Sequence, residues 1–202
     1  MGRREQANAR IGIMPTGPAA RVALRTPTAA EAAAFIAAAK ASRRLHGSWV
    51  QAPATPAEYR QYLRRYAKAS AVPTHVGLVA VRRSDGALVG VFNFSNVVRG
   101  AFRSAYLGYY AFAPHTGQGY MTEAFGRALD YAFNRLKLHR VEANVQPGNA
   151  RSNALVTRVG FAREGYSRRY IRIAGRWRDH VRYAMLAEDW RERKRAKRRA
   201  KR

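Results

Sequence analysis

The sequence predicts a single α+β domain built on a mixed, mostly antiparallel sheet. Three observations carry that reading. Apolar and polar residues alternate with period two through the middle and the end of the chain, apolar stripes of helical period interrupt them, and several strands follow one another through short turns. The chain has 202 residues, room for one core, with 47% hydrophobic and 11% aromatic content, the balance of a folded globular protein.

The elements follow in order. Residues 1–20 hold Gly12, Pro15, Gly17 and Pro18 without any period, which predicts a flexible N-terminal arm. RVALRTPT alternates Val22 and Leu24 with Arg21, Ala23 and Arg25, a short strand. Thr28 and Glu31 make a capping box ahead of an alanine-rich helix, SRRLHGSWVQAP is irregular, and Thr55 with Glu58 opens a helix striped by Tyr59, Tyr62, Leu63 and Tyr66. THVGLVAVRR and ALVGVFNFSNVV flank Ser84, Asp85 and Gly86, a hairpin signal, and FRSAYLGYYAFA is a third strand. Met121, Ala124, Phe125, Ala128, Leu129, Ala132, Phe133 and Leu136 then fall on one helical face. HRVEANV is another strand, GNARSNALVTRVGF a short helix stopped at Gly160, and GYSRRYIRI with DHVRYAMLA a last hairpin.

Composition narrows the chemistry. The chain contains no cysteine, so disulfides, thiolate catalysis and cysteine zinc sites are excluded, and the histidines show no metal spacing. No apolar run reaches the roughly 20 residues of a membrane span, and the N-terminus lacks the apolar stretch of a secretory signal. A cytoplasmic location is expected. The net charge is +26, and residues 191–202 alone hold nine Lys or Arg against one Glu. That end is expected to be a disordered basic tail, either a contact for RNA phosphates or simply solvated.

The stretch APHTGQGYMTEAF, residues 113–125, sets two glycines between a strand and a helix. Glycine lets backbone N–H groups come close to a phosphate, and a helix N-terminus favours negative charge, so the turn is either an anion site or a plain connector. It is not the dinucleotide fingerprint, having no third glycine, nor a Walker loop, having no Gly-Lys-Ser/Thr.

Taken with HRVEANVQPGNARSNALVTRVGFAREGY, SWVQAP and GRWRDHVRYAMLAEDW, this stretch resembles the GNAT acetyltransferases, more narrowly the RimJ/RimL group that acetylates the N-termini of ribosomal proteins. The resemblance runs from about Leu24 to Trp190 and implies a GNAT domain over residues 21–190, with helices on both sheet faces and central strands splayed into an acetyl-coenzyme A cleft. It places the pyrophosphate loop on His115, Thr116, Gly117, Gln118 and Gly119, with backbone amides through Tyr120 and Met121. It also implies that Tyr110, Ala111, Phe112 and Ala113 pair with the pantetheine arm like an extra strand and that Asn149 reaches the same arm. Where relatives often open the loop with Arg or Gln, this chain has Pro114, so phosphate gripping falls to backbone amides and nearby basic residues.

Acetyl transfer needs a neutral amine and a proton for the leaving thiolate. Glu142 shares a strand face with Arg140 and Asn144, as a general base or as the partner of an arginine in a structural salt bridge. The tyrosine that many relatives use as acid is Val156 here; Ser152, matching a serine on the RimL side, is the nearest acid candidate or else a helix cap, with Tyr109 and Tyr110 behind it. His46 and Trp49 lie in the region that covers the acceptor groove in relatives, as recognition or as packing. The expected function is acetyl-coenzyme A dependent N-acetylation, without a metal, of the N-terminal amine of a ribosomal or other basic protein. The alternatives are acetylation of a small cationic amine, for which carboxylates are scarce, and a non-catalytic ribosome- or RNA-binding module.

Overall fold

Alternation along a strand sends side chains to both faces of a sheet, and here both faces are apolar, so the sheet is covered twice. The computed structural model describes residues 20–67, 70 and 72–200. Strands β1 (Val22–Arg25), β2 (Val76–Arg82), β3 (Leu88–Val98), β4 (Ser104–Ala111), β5 (Arg140–Val145), β6 (Ala162–Ile173) and β7 (Arg176–Leu186) form one seven-stranded sheet. Its order is β1-β2-β3-β4-β5-β7-β6, and every pairing is antiparallel except β4 with β5. The expected N-terminal arm lies, but for Ala20, outside the described residues.

On one face, Leu78, Phe92, Phe94 and Leu107 pack with Phe125, Leu129 and Phe133 of α4 (Tyr120–Asn134) and Val156 of α5 (Ala150–Val159). On the other, Val79, Val91 and Phe112 pack with Phe35 of α1 (Ala32–Ala41) and Tyr59 and Tyr62 of α3 (Pro56–Tyr66). Each fully buried side chain of this size contributes about 1.5–3 kcal/mol by leaving water. The short α2 (Arg43–His46) follows α1. Both capping boxes form: Glu31 accepts from Thr28 N–H at 2.8 Å, and Glu58 N–H donates to Thr55 Oγ1 at 3.2 Å while its carboxylate accepts from Thr55 N–H. The last hairpin turns on Ala174 (φ 48) and Gly175 (φ 76), the two left-handed residues of a type I′ turn.

α4 sits where it does because β3 offers no side chain under its first turn. A Cβ on Gly90 would overlap Met121 Sδ and stand 2.7 Å from Tyr110 O.

Two expectations are corrected. The stretch SRRLHGSWVQAP is not irregular throughout, because α2 (Arg43–His46) lies within it. The basic end is not disordered after Trp190: residues Ala187–Arg199 form a helix, α6. It docks without an apolar stripe, through one aromatic and two cations. Trp190 is buried and donates to Asp130 Oδ1 at 2.9 Å, Lys194 binds the same oxygen at 2.6 Å, and Arg193 reaches Arg158 O at 2.7 Å.

Candidate active site

The one parallel pairing is short. β4 and β5 match at Ser104 with Arg140, Ala105 with Val141 and Tyr106 with Glu142, and from there the two strands diverge. β4 then runs into the glycine turn. Gly117 (φ 79) and Gly119 (φ 81) are both left-handed, a conformation that costs other residues about 1–2 kcal/mol. Gly119 caps α4 without a side-chain oxygen, so the cap residue itself leaves the first-turn N–H groups unbonded. A Cβ on Gly117 would meet nothing within 4 Å, so the loop faces open space. His115 N–H is tied to Phe112 O and Gln118 Nε2 to Pro114 O, each at 3.3 Å, while Thr116, Gly117, Gln118 and Gly119 are exposed. Arg21 supplies a cation at the turn. Its guanidinium donates to Gln118 O at 3.2 Å, lies 4.7 Å from the Tyr120 ring centre and pairs with Glu123 at 3.3 Å.

The strand leading to the loop is partly occupied by its own chain. Phe112 is fully buried and its N–H bonds Val89 O at 2.8 Å. Ala111 O faces His46 Nε2 at 2.9 Å, and Ala113 N–H donates to Ser42 Oγ at 2.9 Å. By alternation the backbone groups of Tyr109, one step back, turn toward the gap between β4 and β5. Of residues 110–113, expected to pair with the pantetheine arm, Ala111 and Ala113 thus each have one outward backbone group taken up within the protein. His46 is buried, with its ring 5.3 Å from that of Tyr110, and its place is that of a pin on the end of β4. Trp49 reaches across to the loop after β5, where a Cβ on Gly148 would be 3.2 Å from the indole.

Glu142 and Ser152 lie on opposite faces of the sheet. Glu142 points away from α4, since Val141, Ala143 and Val145 of β5 fill the α4 core. Its Oε1 accepts from Arg140 Nε at 2.9 Å, and Oε2 stands 3.8 Å from Arg182 Nη2. Arg140 also clasps Glu164 and holds that carboxyl below the usual range. Ser152 opens α5, its N–H bonded to Asn149 Oδ1 at 3.1 Å, so Asn149 is the helix cap. Ser152 Oγ lies 2.5 Å from Tyr109 OH, and burial pushes the Tyr109 phenol well up. Tyr110 OH, Asn144 Oδ1 and Arg182 Nε are buried without a hydrogen-bond partner among the described residues.

A family profile described as "Acetyltransferase (GNAT) domain" matches residues 21–162. The chain belongs to the GNAT acetyltransferases. Over 103 residues it is 47% identical to the [ribosomal protein uS5]-alanine N-acetyltransferase of Escherichia coli K12, a match covering 51% of this chain and 53% of that one. The chain thus spans about half the length of that curated relative. It superposes on the structure of Mycobacterium smegmatis RimJ in complex with CoA-disulfide with a TM-score of 0.76, at 31% identity over 83% of each chain. The Vibrio cholerae spermidine N-acetyltransferase in complex with CoA and spermine shares the fold at 22% identity and a TM-score of 0.70, over 84% of this chain and 98% of that one.

For a GNAT chain the fit to coenzyme A rests on the splay beyond Tyr106 and Glu142, the left-handed glycines and the uncapped start of α4. Two features escape a reading of the sequence. Arg21 meets the loop from almost a hundred residues away, and Tyr109 meets Ser152 only because β4 and α5 flank the same gap. A tyrosine two residues before the gap-facing end of β4 was the available signal for the second. Among the described residues no cluster of three or more His, Asp or Glu is placed to hold a metal.

Proposed function

We propose that this chain transfers the acetyl group of acetyl-coenzyme A to the N-terminal α-amine of a ribosomal or other basic protein. The observation that carries the proposal is the opening of the sheet at Tyr106 and Glu142, with the glycine turn on one side and Glu142 on the other. Bound acetyl-coenzyme A would supply the acetyl thioester. The N–H groups from Gly117 to Met121 and the Arg21 guanidinium would hold its diphosphate, and the backbone of Tyr109 and the amide of Asn149 its pantetheine arm. Glu142 would take the amine's proton, directly or through water, while its bond to Arg140 fixes the carboxylate's orientation. Ser152 Oγ would give a proton to the departing thiolate, backed by Tyr109. Burial keeps that phenol protonated, so it can donate to Ser152 rather than compete for the proton. Much of the rate would come from positioning.

A mass-spectrometric assay with acetyl-coenzyme A and purified ribosomal proteins tests this reading. One acetyl group on a protein N-terminus supports it, and no transfer to any of them rejects it. A polycationic small amine fits less well. Glu31 and Glu58, ahead of α1 and at the start of α3, serve as caps, Glu31 also pairs with Arg25, and Glu142 already has Arg140.

We further propose that α6 contacts ribosomal RNA. Arg191, Arg195, Lys197, Arg198 and Arg199 are exposed while Trp190, Arg193 and Lys194 hold the helix down. Replacing Arg195, Arg198 and Arg199 by Gln keeps those anchors. Turnover of a short N-terminal peptide should be unchanged, co-sedimentation with ribosomal subunits should fall, and its salt slope should drop by about two to three. Equal sedimentation of both proteins at low salt rejects the contact.

A further inference from the structure

Past the end of β5 the last two strands run on as a free hairpin. β5 pairs with β7 no further than Val181, so residues 176–180 of β7 have β6 alone paired with them. The register sorts the hairpin's side chains by face. Tyr166 stands opposite Val181, which belongs to the α4 core, and Trp177 lies four residues from Val181 along β7, so both rings face the α4 and α5 side. Arg172, opposite Trp177, shares that side, while Ile171, Ile173, Arg176 and Arg178 turn to the other. Trp177 is 61% exposed and Tyr166 50%, although rings of this size gain most by leaving water. Five arginines stand between Ser167 and His180 against a single carboxylate, Asp179. That carboxylate is already engaged. It accepts from Arg169 N–H at 2.7 Å and from Tyr166 OH at 2.5 Å, which fixes the tyrosine ring across the irregular stretch of β6. Arg172 donates from Nε to Gly175 O at 3.3 Å and makes no ion pair among the described residues.

Cations along β6 are what an edge strand needs to keep another sheet away, and they would do so without help. Two open rings on one face have no part in that. We propose that this face of the hairpin binds single-stranded nucleic acid, Trp177 and Tyr166 each stacking on a base while Arg168 and Arg172 contact phosphate oxygens. Every base has a π-face, so such a track tolerates many sequences, and the planar guanidinium fork matches phosphate geometry. A single strand is required because the bases of a duplex are already stacked on one another. A bilayer is the poorer complement: Ile171 and Ile173 point to the face opposite Trp177, so no one side of the hairpin is broadly apolar. Such binding neither uses nor needs acetyl transfer, since Glu142 lies on the far side of the sheet, and it is separate from the contact proposed for α6.

The test compares two labelled polyanions by fluorescence anisotropy: a short oligoadenylate, and linear polyphosphate, which carries the charge without bases. W177A, W177F and the double variant R168Q/R172Q are made in the full chain with α6 intact, and W177Q replaces W177A should that fold poorly. Melting temperature is recorded for each. W177A should weaken oligoadenylate binding by about 5- to 100-fold and leave polyphosphate binding unchanged. W177F keeps a ring and should bind oligoadenylate closer to the wild type than W177A does. R168Q/R172Q should weaken both polyanions and lower the salt slope for oligoadenylate by about 1.4. Equal oligoadenylate affinity in W177A and the wild type, or a loss shared by polyphosphate, overturns the proposal. So does attachment to phosphatidylglycerol vesicles that W177A abolishes while oligoadenylate binding stands.

Discussion

Replacing Glu142 by Gln is expected to lower turnover by about 10²- to 10⁴-fold, the range for losing a positioned general base. The substitution keeps the size of the side chain and one oxygen for Arg140, so the sheet should hold and coenzyme A should bind as before. The deficit should be widest at acidic pH. There an α-amine, with an ordinary pKa of about 7.7–8.0, is mostly protonated and needs a base. Toward alkaline pH the amine loses its proton unaided and the two enzymes should converge. The check is a pair of pH–rate profiles at saturating coenzyme. Profiles that overlay would leave Glu142 as the salt-bridge partner of Arg140 and nothing more.

Gly119→Val should weaken coenzyme A binding by about tenfold or more. Valine is poorly suited to φ 81, and its Cβ would stand 3.3 Å from Arg21 Nη2. The backbone then has to leave the left-handed region, which turns the first N–H groups of α4 away from an anion, at a cost of about 1–3 kcal/mol. Arg21 would be displaced in the same step. Calorimetry on the two proteins decides the matter: equal affinity would mean that the turn is only a connector. A melting temperature close to that of the wild type would show that the loss is local.

The parts legible in the sequence are those fixed by short-range pattern. The stripe from Ala124 to Phe133, the boxes Thr28/Glu31 and Thr55/Glu58, and the helix stop at Gly160 each depend on neighbours within a turn or two, and each forms as expected. The alternation of β5 likewise put Glu142 and Asn144 on one face before any partner strand was known. What the pattern could not supply was pairing. That Arg182 stands opposite Asn144 follows from β7 inserting between β5 and β6, an order no local signal encodes. Arg21 at the glycine turn depends in the same way on β1 lying beside α4. α6 escaped for another reason. Its docking uses a single tryptophan and hydrogen bonds from Arg193 and Lys194, so its sequence reads as solvated charge although these three residues share one face of the helix.

The brevity of the β4–β5 pairing has a mechanical side. A sheet normally resists shear because every strand is laced to the next along its length, and here the lacing stops after three register pairs. Strands β1 to β4 and strands β5 to β7 meet along a seam that is fastened at one end and bridged elsewhere by the packing of α4 and α5 and by Trp49 against Gly148. A pantetheine arm lying in that seam would add rungs that the protein itself omits. The coenzyme would then be a structural strut as well as a reactant. Loading it should slow amide exchange at Tyr109 and Asn144, on opposite banks of the seam, more than at the twin-laced centre of β3.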